Sequence, residues 1–187
     1  MDIDDWLKNH NVKNYTINED LSVDVNGIVN LASMGLVEIP IRFGVVSGSF
    51  YCNGNKLLIN LEGCPVEVGQ DFNCMGNKLF TLKGCPIKIG GNFLCNNNKL
   101  TNLLGGPKEV GGGFFCYANE LTSLDGCPAE IKGGFNFRYN KLGESELFLY
   151  DYNPVQIRCY YDSKNLNEML VLELSEEVGI GNRQRKI

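Results

Sequence analysis

Cysteines are the residues of this chain best equipped for chemistry, and the sequence contains eight. Four of them, Cys52, Cys74, Cys95 and Cys116, recur in one phrase, with Phe two residues before and Asn three residues after. Four thiols in register first suggest a ligand set for a soft metal. The spacing argues otherwise. Equivalent positions on stacked coils form a straight column at intervals of about 4.8 Å, whereas tetrahedral zinc needs four sulfurs about 2.3 Å from a single point. In the fifth copy of the phrase Phe137 takes the place of the cysteine, and a ring cannot replace a ligand. A second column, Cys64, Cys85 and Cys127, is interrupted by Gly106 and falls at a corner. Neighbours within either column are near enough for a bridge on distance alone. Stacked parallel side chains, however, hold their Cβ atoms wider than the separation of about 3.8 Å that a disulfide prefers. Both columns are therefore expected to be reduced interior packing, with no metal and no cofactor.

Other catalytic constellations are missing. His10 is the only histidine, and it lies on the apolar side of a short N-terminal helical pattern, where a packing or capping role is expected. There is no phosphate loop, and Gly179-Ile-Gly181 lacks the third glycine of a dinucleotide site. Glu62, Glu67, Glu109 and Glu130 interleave with Lys83, Lys88, Lys108 and Lys132, as on a solvated face. No catalytic residue is assigned, and an enzyme is the weakest of the functional readings.

The elements behind these columns emerge when the chain is aligned with itself. Asn55, Asn77, Asn98, Asn119 and Asn140 stand 22, 21, 21 and 21 residues apart, each in the frame Phe-x-Cys/Phe-x-x-Asn-x-Leu. The longer step reflects an extra residue within Leu58-Ile59-Asn60. Phe-x-Cys puts two residues inward around one outward, the period of a half-buried strand, so each repeat is expected to give one short strand. The asparagines should form a ladder and turn the chain. Leu79, Leu82 and their equivalents, Leu57 among them, point back inside. The Gly-Cys-Pro phrases make the return corner, and Val68, Ile89, Val110 and Ile131 close each coil. No coil can bury its apolar side alone, so the coils must stack.

In these columns the chain resembles the leucine-rich repeats, with Phe93, Cys95, Asn98 and Leu100 at the last four marked positions of L-x-x-L-x-L-x-x-N-x-L. The first Leu of that pattern is displaced by one residue, to Ile89. The repeat length and the return to Pro are similar to the short repeats of bacterial effector proteins. The Phe-x-Cys-x-x-Asn-x-Leu and Gly-Cys-Pro phrases are closer still to small leucine-rich-repeat proteins of tailed bacteriophages. The resemblance spans residues 25–142 and implies a mainly β solenoid. If the chain is phage-encoded, it would work in the host cytoplasm.

A single domain is expected, in three parts. Residues 1–24 form an N-terminal cap: a helix carrying Ile3, Trp6, Leu7 and His10, then a hairpin in which Tyr15, Ile17, Leu21, Val23 and Val25 alternate around Asn18-Glu19-Asp20. Residues 25–142 are the solenoid, beginning with a degenerate coil of Val25, Val29, Leu31 and Leu36 in which Met34 replaces the ladder Asn. Residues 143–187 are a C-terminal cap and basic tail, with a strand over Val155–Cys159 and a helix begun at Ser163 or Asn165 that carries Leu166, Met169, Leu170, Leu174 and Val178.

Net charge is -5, and the basic residues cluster only at Arg183, Arg185 and Lys186, which disfavours nucleic acid. The N-terminus lacks the pattern of a secretory signal, and no apolar run is long enough to span a bilayer, so a cytoplasmic protein is expected. What remains is the outward side of the repeating strands. Tyr51, Asn53, Met75, Leu94, Asn96, Phe115, Tyr117 and Arg138, with Tyr139 just beyond, are expected to face solvent as a partner-binding row. Aromatics, Met and Arg are the types enriched at protein interfaces. The expectation is a protein-binding module, with a self-associating homo-oligomer as the alternative.

Overall fold

The structure is a computed structural model that describes residues 2–128 and 130–142. The expected C-terminal strand, helix and basic tail lie outside the described residues. The described chain is a β-solenoid of about five turns preceded by one short helix.

Helix α1 (Ile3–Asn9) starts where Asp2 Oδ1 accepts a hydrogen bond from Asp5 N at 2.9 Å, and it buries Trp6 and Leu7. His10 closes it, its ring stacked on Trp6 at 3.8 Å and its Nδ1 2.8 Å from the Trp6 carbonyl. Strands β1 (Tyr15–Ile17) and β2 (Ser22–Val25) form the expected antiparallel hairpin. Only its second strand is inward-facing throughout its apolar positions: Val23 and Val25 are buried, Ile17 is exposed, and Leu21, at φ +62°, lies in the turn and points out.

The solenoid has two strands per turn, not the one expected from sequence. One sheet has seven strands in the order β1, β2, β4 (Arg42–Val46), β6 (Glu67–Val68), β8 (Lys88–Ile89), β10 (Glu109–Val110) and β12 (Glu130–Ile131). The other has six, with β3 (Val29–Asn30), β5 (Phe50–Tyr51), β7 (Phe72–Asn73), β9 (Phe93–Leu94), β11 (Phe114–Phe115) and β13 (Phe135–Asn136) in sequence order. Apart from the N-terminal hairpin every pairing is parallel, and equivalent residues of successive turns face one another. The strands of the first sheet escape a periodicity search because a charged residue and a Val or Ile make only one alternation. Pairing with the turns on either side makes them strands.

Between the sheets the phenylalanines stack in a file, with centroids 5.8, 5.9, 4.9 and 5.3 Å apart from Phe50 through Phe72, Phe93 and Phe114 to Phe135. The Asn ladder forms as expected, and each copy is used at both ends. Asn98 Nδ2 donates to the carbonyls of Cys95 and Cys74, both at 3.0 Å, and its Oδ1 accepts from Leu79 N at 3.1 Å. In the degenerate first coil Met34 is exposed at the ladder position.

The extra residue of the 22-residue repeat is placed differently from the expectation. Lys78 N donates to Leu58 O as Lys99 N donates to Leu79 O, so Leu58 is the inward equivalent of Leu79 and Leu57 is expelled to the surface at 56% exposure. At the return corner Gly63, Gly84, Gly105 and Gly126 all have φ between +81° and +88°. A Cβ at Gly84 would lie 2.5 Å from Leu61 O, so both the turn and the close approach of the coil below require glycine there.

Candidate binding face

Each turn of the second sheet presents the same local geometry. The Phe faces in, the next residue out, the Cys in and the next out, and then the chain turns through a left-handed residue before the ladder Asn. The left-handed column is Ser33, Gly54, Gly76, Asn97, Ala118 and Tyr139, with φ between +52° and +71°. Two of these six are glycine; the others hold a conformation that costs an L-residue free energy.

The sequence-derived site residues fall into two outward columns that the parallel register brings together. Tyr51, Asn73, Leu94, Phe115 and Asn136 make one; Asn53, Met75, Asn96, Tyr117 and Arg138 make the other. Tyr51, Asn53, Met75, Leu94, Phe115 and Tyr117 are half-buried against one another, and Arg138 is exposed. Tyr139 belongs to the turn column and is 80% exposed. Asn73 and Asn136 spend their side-chain oxygens within their own turn, accepting from the backbone two residues on, Met75 N at 3.1 Å and Arg138 N at 3.2 Å.

Asn96 departs from the expectation of an exposed residue. Only 1% of it is accessible, because the larger Met75 and Tyr117 stand on either side of it in its column. Its Nδ2 lies 3.9 Å from Met75 Sδ, and its Oδ1 has no hydrogen-bond partner. The two columns contain no carboxylate, and Arg138 is their one cation.

The cysteines are where the packing argument puts them. Cys52, Cys74, Cys95 and Cys116 are fully buried, Cys64 and Cys127 nearly so, and Cys85 is partly covered. The sequence does not show that the two columns meet inside the coil, where Cys52 lies close enough to Cys64 to add to the effect of burial on its thiol. Burial pushes the thiols of Cys64, Cys74, Cys85 and Cys95 well above their ordinary range, which suppresses the thiolate that a nucleophile or metal ligand needs. Among the described residues, the one trio of such groups with ligand atoms within 4.8 Å of one another is Asp2, Asp4 and Asp5. There Asp2 caps the helix, and Asp4 is held by Lys8 and Tyr15.

One surface escaped the sequence reading. Val37, Leu57, Ile59 and Phe80 form an apolar stripe on the return side of the first coils, 45% to 59% exposed. A column comparison could have found most of it, since Thr101 and Thr122 occupy in later turns the place of Val37, Ile59 and Phe80, whereas Leu57 is the expelled extra residue. No helix among the described residues is long and apolar enough to cross a membrane. No family model, curated protein or solved structure matches the chain.

Proposed function

We propose that this chain is a non-enzymatic leucine-rich-repeat protein that docks a partner protein on the outer side of its second sheet. The observation that carries the reading is the contrast in charge between its two sheets. Beyond the exposed Val45, the first presents Glu67, Lys88, Glu109 and Glu130 to solvent, a pattern water satisfies. The second presents Tyr51, Met75, Leu94, Phe115 and Tyr117, which water does not favour, with Arg138 and Tyr139 at one end. Contiguous apolar and aromatic surface of this kind marks interaction sites. The resemblance of the repeats to phage leucine-rich-repeat proteins supports a phage protein that binds a host protein in the cytoplasm and modulates or inhibits it.

The test is affinity capture from source cells by the wild-type chain and by the Phe115→Ala and Tyr117→Ala variants. Each substitution should weaken a genuine partner by about 2 kcal/mol, the level of an interface hot spot. A partner retained equally by all three chains sinks the site. A second reading, self-association, is favoured by the exposed stripe of Val37, Leu57, Ile59 and Phe80. Light scattering that gives a monomer mass at all concentrations removes it.

A further inference from the structure

This inference rests on the docking face just proposed and names what that face reads. Asn96 lies at its centre with 1% exposure, and its Oδ1 accepts no hydrogen bond. Every ladder asparagine, by contrast, has both ends paired, including Asn98 only two residues away. A buried amide oxygen without a donor weakens the free protein relative to an apolar side chain of the same size. Its amide nitrogen has only a thioether for company, a weak acceptor. The cover over it includes Met75, an unbranched and adaptable side chain that can swing aside.

We propose that Asn96 Oδ1 accepts a hydrogen bond from the docked protein segment, and that the donor is neutral. It would be a backbone N–H or an Asn, Gln or Ser side chain set between apolar residues. Neutrality follows from the surroundings. The two outward columns hold no carboxylate to balance a lysine or arginine. The apolar flanks follow from Leu94, Phe115, Met75 and Tyr117, which border Asn96 along and across the sheet.

The experiment pans a random displayed-peptide library on the full-length chain, then measures the selected peptides against wild type, Asn96→Leu and Tyr117→Ala, with thermal melts of all three. The selected peptides should carry a neutral donor between apolar residues and bind with little dependence on salt. They should bind Asn96→Leu roughly tenfold more weakly, the scale of one lost hydrogen bond in a desolvated site. The same variant should melt higher than wild type, because it no longer buries an unpaired oxygen. A lower melting temperature makes Asn96 a structural residue and overturns the proposal, as do basic, salt-sensitive peptides or an empty selection on wild type. Peptides lost on Tyr117→Ala but kept on Asn96→Leu overturn this inference and leave the docking face standing. Peptides kept on both variants overturn the two together.

Discussion

The inner and outer sides of the second sheet are built on the same short strands under opposite demands. Inward, Phe50, Phe72, Phe93, Phe114 and Phe135 repeat without change, and the asparagines from Asn55 to Asn140 satisfy all their polar atoms. Outward, Tyr51, Asn73, Leu94 and Phe115 follow one another with no rule, and one buried amide oxygen, on Asn96, is left unpaired. Stacked coils meet the same neighbours above and below, so packing selects the same side chain at each inward position. Nothing in the stacking constrains the outward positions. A feature that recurs therefore marks what the solenoid needs in order to exist, and the positions free to vary are those on which the proposed docking rests.

The sharpest ways to break this comparison lie on the inner side. Phe93→Ala should cost about 4 kcal/mol, because it opens a cavity in the middle of a ring file and removes contacts to both Phe72 and Phe114. Urea unfolding followed by circular dichroism measures it. A loss no larger than that of Leu94→Ala on the outer side would refute the division between the faces. Asn98→Leu comes next, at about 3 kcal/mol, since Leu79 N and the carbonyls of Cys74 and Cys95 lose their side-chain partner in a buried place. The same substitution at Asn96 should act in the opposite direction. Identical chemistry two residues apart, with effects of opposite sign, is the most direct reading of which side of the sheet each residue serves.

Much of the inner side is legible in the sequence because stacking writes the same residue at every turn. The Phe, Cys and Asn columns declare themselves on alignment, and Phe137 in the Cys column already speaks against metal. The misplaced features depend on neighbours from other turns. The strands Glu67–Val68 and Lys88–Ile89 are too short to show a period and exist only through pairing with the turns on either side. Leu57 and Leu58 are equivalent as sequence, and only the backbone bond from Lys78 to Leu58 decides which goes inside. The outward direction of Asn96 is read correctly from alternation, but its burial depends on Met75 and Tyr117, which lie one turn away on either side. The left-handed column is announced by Gly54 and Gly76 and concealed by Ala118 and Tyr139.

That concealed column gives a smaller prediction on the outer side. Tyr139 holds φ +56° while 80% exposed, so it bears backbone strain without the reward of burial. Tyr139→Gly should stabilise the chain by about 0.5–1 kcal/mol, the relief of left-handed strain less the extra freedom glycine gives the unfolded chain. A rise in melting temperature accompanied by weaker partner capture would mark Tyr139 as kept for contact. A fall in melting temperature would mean that the ring packs in the fold, and the residue would move to the structural side of the comparison.

The smallest expected effect belongs to the charges at the rim of the same turns. Glu120 takes the place that lysine holds in neighbouring turns, and its carboxylate accepts from Lys141 at 2.9 Å and Lys99 at 3.0 Å. The hydrogen bond from Lys141, then that from Lys99, holds its pKa below the ordinary carboxylate value of 4.5. A carboxyl whose pKa is lower in the folded state stabilises the fold above its unfolded pKa, and that contribution disappears as pH falls through the folded value. Both lysines are well exposed, so salt should screen the interaction. Glu120→Gln should therefore lower the urea midpoint slightly at neutral pH and low salt, and the difference from wild type should shrink both in high salt and on acidification. A gap that widens in acid would contradict the sign of the shift. A gap as large as that of Asn98→Leu would mean that exposed rim charges, and not the buried amide ladder, hold the turns in register.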